Sequence, residues 1–142
     1  MRTSVLLVED SRLLRITNGR ALVKAGYDVV CAADGEEALR MVHNRMPDLI
    51  LLDMMLPKMA GTDVLRLLKQ DPLTSDIPVI VLSGLSQMNE ERLVEAGAAA
   101  YFEKSESILA NGSAGLILAV ETVLDKRKRM QRIRAKGGSR LL

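Results

Sequence analysis

The chain has 142 residues, of which 48% are hydrophobic and only 2% aromatic, with no Trp and a single cysteine. This length suits one domain with an aliphatic core, since domains typically contain roughly 100–150 residues. The scarcity of aromatic side chains argues against the stacking surfaces that bind single-stranded nucleic acid. The lone Cys31 cannot form an internal disulfide, and its apolar neighbours predict a core thiol.

The formal charge of +2 is distributed unevenly along the chain. Residues 126–142 hold eight Lys or Arg and no acid, which leaves 12 basic against 18 acidic residues, a charge of −6, in residues 1–125. We therefore expect an acidic domain over 1–125 and a basic C-terminal helix extension and tail over 126–142. We expect this tail to be a solvated helix end and a disordered terminus, with nucleic acid or an anionic membrane surface as alternative partners.

No stretch of the sequence resembles a targeting or membrane-spanning segment. The N-terminus reaches two acids after a short apolar run, so it lacks the apolar core of a signal peptide. No run approaches the roughly 18 apolar residues that span a bilayer. We expect a soluble protein of the reducing cytoplasm.

Short apolar runs alternate with helix-like segments, and a turn signal marks each switch. Runs such as "VLLV", "LILL" and "VIVL" lack polar alternation, which is typical of parallel strands buried on both faces. The predicted strands cover residues 4–8, 27–31, 49–53, 79–83 and 98–102. The predicted helices begin near Arg12, Gly35, Gly61 and Met88, and between Ser107 and Ser113.

Local signals support several of these helix boundaries. Asp34 and Glu37 have the spacing of a capping box. Gly26 and Gly97 follow helical segments, where a left-handed residue is favoured. The apolar face of the last helix consists of Leu116, Ile117, Val120, Val123 and Leu124. Five alternating strands and helices predict an α/β fold with a flavodoxin-like, doubly wound parallel sheet in the order 2-1-3-4-5.

Acidic residues follow two of the predicted strands at the point where each strand ends. Glu9 and Asp10 follow the first strand, and Asp53 ends the third. These strands are neighbours in the order 2-1-3-4-5, and ligands bind at the carboxyl ends of such strands. Three adjacent carboxylates repel one another, so either their pKa values rise or a cation lies among them. Mg²⁺ suits such an oxygen cluster.

A hydroxyl and an ammonium are expected at the same edge of the sheet. Ser83 ends the fourth strand, and Lys104 follows the fifth. With carboxylates and a divalent cation they form a phosphoryl-binding set, in which one carboxylate can act as the nucleophile. His43 is expected on a helix surface, because the chain has no second His for a metal or catalytic pair.

Four segments, "LLVEDS", "PDLILLDMMLPKMAG", "DIPVIVLSG" and "EAGAAAYFEKS", resemble in order the receiver domain of two-component response regulators. The resemblance covers about residues 3–125. It implies that Asp53 accepts a phosphoryl group from a histidine kinase. It also implies Mg²⁺ bound directly by Asp10 and Asp53, by the backbone carbonyl of Met55, and through water by Glu9.

The resemblance implies further roles around the phosphoacceptor. Ser83 and Lys104 would hold the phosphoryl oxygens, and the rotamer of Tyr101 would report the signalling state. The upstream partner would be a sensor histidine kinase or a phosphotransfer protein. A downstream protein would bind the face formed by the fourth helix, fifth strand and fifth helix, with homodimerisation left open. The protein would not be an enzyme beyond catalysing its own phosphoryl uptake and loss.

The sequence departs from the family pattern beside the site. Ser105 follows Lys104 where the family usually has a Pro joined by a cis bond, and a cis bond before a non-Pro residue costs about 2.5–4 kcal/mol. We therefore expect a trans bond and a differently shaped loop. Apolar side chains stand at Met55 and Leu85, two flanking positions that vary widely in the family.

Three functions other than a phosphoacceptor switch are also compatible with an α/β fold of this kind. A phosphorylation-independent receiver that acts as a protein-binding module is the main alternative, because of Ser105. A haloacid-dehalogenase-like hydrolase would need a second Asp where Met55 stands. A flavodoxin-like flavin carrier would need a phosphate-binding loop rich in Ser, Thr and Gly after the first strand, and the sequence has none there.

Overall fold

A computed structural model describes residues 2–84, 90–104 and 113–141 of the chain. Five parallel strands form one sheet in the order β2-β1-β3-β4-β5, which confirms the predicted flavodoxin-like topology. The strands are β1 (Ser4–Val8), β2 (Asp28–Ala32), β3 (Leu49–Asp53), β4 (Val79–Ser83) and β5 (Ala100–Glu103). The helices are α1 (Arg12–Lys24), α2 (Gly35–Arg45), α3 (Gly61–Gln70), α4 (Glu90–Glu95) and α5 (Ala114–Leu141).

The sheet separates two hydrophobic cores, because alternate residues of each buried strand point to opposite faces. One core lies between the sheet and helices α2, α3 and α4, and the other lies between the sheet and helices α1 and α5. Every residue of β3 and β4 is buried, as expected for central parallel strands. The predicted apolar face of α5 packs in the second core, and Cys31 is half-buried beside it.

The two edge strands begin later than the sequence predicted, and the cause is the same at both. Gly26 has φ +102° after α1, and Gly97 has φ +106° after α4. The amide after each glycine bonds back into the preceding helix, Tyr27 N–H to Leu22 O at 3.1 Å and Ala98 N–H to Leu93 O at 3.0 Å. This is the Schellman motif. The amides of Tyr27 and Ala98, the first residues of the two predicted strands, are therefore hydrogen-bonded to a helix instead of a neighbouring strand.

Helix N-termini on the side of the acidic residues differ in how they are capped. Ser11 accepts a hydrogen bond from Leu14 N–H at 3.4 Å at the start of α1. Asp34 accepts one from Glu37 N–H at 2.9 Å, as the capping-box spacing predicted. In return, Glu37 Oε2 accepts a hydrogen bond from Ala33 N–H at 3.2 Å, one residue before the expected donor. Helix α3 has no side-chain cap.

Helix α5 runs 28 residues, so it includes the predicted helix extension after residue 125 and most of the tail that was expected to follow it. Ten of the eleven residues 126–136 are Lys, Arg, Met, Gln or Ala, which are good helix formers. Arg127 fastens the helix to the loop before β3, since its Nη1 donates to Asp48 O at 2.7 Å. Predictions about Leu85, Met88, Ser105 and Ser107 lie outside the described residues. No helix in the described part of the chain is long and apolar enough to cross a membrane.

Candidate phosphoacceptor site

Three carboxylates meet at the carboxyl ends of β1 and β3. The register pairs Val8 with Leu52, so the residues that follow each of them lie side by side. Glu9 and Asp53 are fully buried, whereas Asp10 is exposed. One oxygen from each of the three carboxylates lies within 4.8 Å of the others. The structure thus brings together the acidic cluster that the sequence predicted.

Lys104 is the partner of the two buried carboxylates. Its Nζ lies 2.8 Å from Asp53 Oδ2 and 2.8 Å from Glu9 Oε1. It also donates to Glu9 Oε2 at 3.2 Å. The position of Lys104 after β5 predicted that it would lie at this end of the sheet, but not that it would contact Glu9 directly. Such a contact between residues 95 apart in sequence requires the completed sheet.

Burial and close charges shift the proton affinities of this cluster. Burial and, to a smaller extent, the adjacent Asp53 together raise the pKa of Glu9 to about 7 against the opposing effect of Lys104. Burial favours a lower pKa for Lys104, but its hydrogen bonds to Asp53 and Glu9 outweigh burial and raise that pKa. The ammonium therefore stays protonated between the carboxylates at neutral pH.

The loop between β3 and α3 forms one wall of the site. Met55 N–H donates to Asp53 Oδ1 at 3.0 Å, which fixes the carboxylate, and Gly61 N–H donates to Met54 O at 3.1 Å. A Cβ at Gly61 would lie 2.4 Å from Asp53 O and 2.6 Å from Met54 Cα. Only glycine therefore allows α3 to begin so close to the end of β3.

An open depression of about 620 Å³ lies over Asp53. Asp10, Lys104 and the backbone and side chains of the β3–α3 loop line it. Lys58 also lines it and has a left-handed φ of +68°, which no pattern in the sequence predicted. Its Nζ lies 3.8 Å from Asp34 Oδ2, so the loop is joined to the start of α2.

Ser83 and Tyr101 take the strand positions that the sequence assigned to them. Ser83 is buried at the end of β4, one residue beyond Leu82, whose register partner is Asp53. Tyr101 lies on β5 and packs, partly buried, against the first core. Both residues therefore lie near the edge that carries the carboxylates. Their roles in holding and reporting a phosphoryl group stay predictions.

The donor atoms of the acidic cluster fit Mg²⁺. All three side chains offer carboxylate oxygens, which are the ligands that this hard cation prefers. Glu9 Oε1 is buried and accepts no hydrogen bond of good geometry from the described residues, although Lys104 Nζ lies 2.8 Å away. Glu9 Oε1 can therefore still accept a hydrogen bond from a water molecule that is coordinated to a bound cation.

The doubly wound fold and the acidic cluster at the carboxyl ends of its strands narrow the class of protein, and comparison with known proteins identifies the family. Residues 5–110 match the response regulator receiver domain, so the chain belongs to that family. It is a receiver domain of two-component signalling. Receiver domains interact with histidine kinases or phosphotransfer proteins and with downstream effectors.

Several known proteins are similar to the chain. The gliding motility regulatory protein of Myxococcus xanthus is 49% identical over 107 residues, which cover 74% of this chain and 14% of that protein. The polar-differentiation response regulator DivK of Brucella anthropi is 37% identical over 76% of this chain and 89% of its own length. The chain spans less than half of the length of several other curated relatives.

Solved structures show the same fold. The CheY-like receiver domain protein from Methanospirillum hungatei superimposes with a TM-score of 0.80 at 27% sequence identity, over 92% of this chain and 99% of that one. The signal receiver domain of a LuxO repressor protein from Vibrio parahaemolyticus gives a TM-score of 0.81 at 30% identity, over 94% of this chain and 98% of that one.

Proposed function

We propose that Asp53 accepts a phosphoryl group from the phosphohistidine of a sensor histidine kinase or phosphotransfer protein. The observation that carries this proposal is the position of Asp53, a buried carboxylate that is paired with Lys104 and opens onto a depression lined by Asp10. Burial removes water from the nucleophile, while the ammonium provides positive charge where phosphoryl oxygens would accumulate negative charge.

The transfer forms one bond and breaks another. An Asp53 oxygen attacks phosphorus, the P–N bond to the imidazole breaks, and its electron pair stays on the leaving nitrogen. Lys104 exchanges its contact with Asp53 Oδ2 for a phosphoryl oxygen, and the Ser83 hydroxyl donates to another. Met55 N–H, already 3.0 Å from Asp53 Oδ1, holds the carboxylate in place during the attack.

The proposed cofactor is Mg²⁺. Asp10, Asp53 and the backbone carbonyl of Met55 would hold it directly, and Glu9 through water. When bound, it supplies neutralising charge to the carboxylates and the phosphoryl oxygens. On this proposal the protein supplies the nucleophile and the electrostatics for its own phosphoryl uptake and loss, and it turns over no separate substrate.

Transmission of the signal is proposed to pass through β4 and β5. Ser83 ends β4, and Tyr101 pairs in register with Val81 of the same strand. Engagement of Ser83 and Lys104 by the phosphoryl group changes the packing of these strand ends. The face formed by α4, β5 and α5 then changes its affinity for a downstream protein, as a two-state element biased by a local charge.

The test is intact-mass analysis after incubation with acetyl phosphate, with and without Mg²⁺. The native protein should gain one phosphoryl group in a Mg²⁺-dependent manner, and Asp53→Asn should gain none. Asp63→Asn is the matched control, because Asp63 is an acid on α3 that pairs with Arg66 at 3.2 Å and lies outside the cluster. No gain with acetyl phosphate or with a panel of kinases would instead favour a phosphorylation-independent binding module.

A further inference from the structure

We propose that the exposed basic part of α5 binds the phosphate backbone of double-stranded nucleic acid. This basic segment, residues 126–136, contains seven Lys or Arg among eleven residues and no acid. The structure makes it a continuation of a helix whose earlier turns are packed on the sheet. The charges are therefore presented on a fixed helix and not on a mobile tail.

The basic segment leaves the body of the domain at a defined point. Leu124 is the last residue of α5 in the second core, and Arg127 donates to Asp48 O at 2.7 Å. From Lys128 to Lys136 every side chain is exposed. None of the basic side chains in this stretch forms an ion pair with any residue that the structure describes.

Helical geometry gathers four of these charges on one side. At 100° per residue, Lys128, Arg129, Arg132 and Lys136 fall within an arc of about 100°. They extend over about 12 Å along the helix axis at 1.5 Å per residue. A major groove about 12 Å wide accepts a helix, and duplex DNA presents one phosphate charge per roughly 1.7 Å of its axis.

The same surface is a poor match for the two other partners that a basic helix can have. A helix that lies on a membrane buries a wide apolar face, but Met130 and Ile133 are the only large apolar side chains exposed over residues 126–136, and residues 126–142 include no aromatic side chain. Pairing with a second copy would bring like charges together. A polyanion with closely spaced phosphates is the partner that the charge favours.

The proposed nucleic-acid surface is separate from the phosphoacceptor site. Asp48, which anchors the start of the basic segment, precedes β3, whereas Asp53 is the last residue of the same strand. The two surfaces therefore lie at opposite ends of the central strand β3. Acetyl phosphate labelling and nucleic-acid binding can fail independently, so the tests of the two proposals are distinguishable.

The experiment measures binding of the 142-residue chain to a fluorescent duplex of about 20 base pairs by anisotropy across a salt series. The variant is Arg129→Gln with Arg132→Gln and Lys136→Gln, because Gln retains helix propensity. The matched control removes the same charge from exposed residues of α1 and α2, as Arg20→Gln, Arg40→Gln and Arg45→Gln. Circular dichroism verifies equal helix content in all three proteins.

We expect salt-sensitive binding by the native chain and by the control. The variant should bind at least about tenfold more weakly at low salt, and the slope of log K against log salt should become shallower by about 3. Absence of duplex binding at the lowest salt would overturn the proposal, as would equal losses in variant and control. Binding to phosphatidylglycerol vesicles without duplex binding would assign the surface to a membrane instead.

Discussion

Lys104 Nζ lies 2.8 Å from Asp53 Oδ2 and 2.8 Å from Glu9 Oε1, so a single ammonium joins two fully buried carboxylates. A buried carboxylate without a partner costs several kcal/mol or takes up a proton. The apolar strand β3 can therefore end in Asp53 because a residue 51 positions later returns to meet it.

Removal of this ammonium should destabilise the domain. We expect Lys104→Gln to lower the free energy of unfolding by about 1–3 kcal/mol in metal-free buffer, because it leaves two buried carboxylates without a cation. Urea denaturation measures the change. Lys58→Gln, which removes a largely exposed lysine at the same depression, should have little effect. A loss for Lys104→Gln no larger than for this control would contradict the role of the ion pair.

Gly61 should tolerate no side chain. A Cβ there would lie 2.4 Å from Asp53 O, so Gly61→Ala must displace the backbone beside Asp53. We expect a loss of about 1–3 kcal/mol of stability together with slower labelling by acetyl phosphate. Gly19→Ala is the control within a helix, where the nearest atom, Cys31 Sγ, is 3.9 Å away. Gly19→Ala should gain about 0.5–1 kcal/mol, and a similar gain at Gly61 would refute the close-approach argument.

A better N-cap residue should stabilise helix α3. Its N-cap residue, Ala60, offers no side-chain acceptor to the first amides of the helix, although its φ of −63° and ψ of 147° suit a capping residue. We expect Ala60→Ser to raise the free energy of unfolding by about 0.5–2 kcal/mol. Thermal denaturation would reveal this gain, and Ala60→Val should not reproduce it. Equal stability of Ala60→Ser and the native chain would show that solvent already satisfies those amides.

His43 should make stability depend on pH. Its Nδ1 lies 2.8 Å from Leu39 O and its Nε2 2.8 Å from Asp71 Oδ2, so the doubly protonated ring can donate to both oxygens. These contacts raise the pKa of His43 above 6.5, and the hydrogen bond to His43 lowers the pKa of Asp71 below 3.8. Because the folded-state pKa of His43 is raised, its contribution is full below 6.5 and is lost as pH rises through the folded value.

The matching measurement compares the native chain with His43→Gln by urea denaturation at about pH 5.5 and about pH 8.5. The stability difference between the two proteins should be larger at the lower pH. At still lower pH the stabilisation by this pair should disappear, because the contribution of Asp71 is lost as pH falls through its lowered folded pKa. A difference independent of pH would mean that the neutral ring makes the same contacts.

The sequence predicted the central part of the fold well because burial on both faces leaves a clear apolar run. Strands β1, β3 and β4 have the predicted bounds, but the edge strands β2 and β5 begin one and two residues late. Both delays come from Schellman motifs, in which the amide after a glycine bonds to a helix carbonyl five residues earlier. Strand propensity alone does not show that a helix carbonyl competes with the neighbouring strand for the same amide.

The candidate site was predictable as a set of residues but not as a set of contacts. Strand ends indicated which side chains share an edge, and this was sufficient to group Asp10, Asp53 and Lys104. The contact of Glu9 with Lys104 and the left-handed backbone of Lys58 depend on how loops close, which has no periodic signal. The pairing of His43 with Asp71 was missed for the same reason, since it joins the end of α2 to the residue that caps the end of α3.

The length of helix α5 affects how far its C-terminal end can move. Ser113, just before the helix, donates to the buried Asn18 of α1 at 3.0 Å, and the helix then extends for 28 residues, or about 42 Å. Its first half packs against α1 and the sheet, while every side chain from Lys128 to Lys136 is exposed. A tilt of only about 10° at the packed end would swing the far tip by about 7 Å. Small repacking beneath α5 is thereby magnified with distance from the domain.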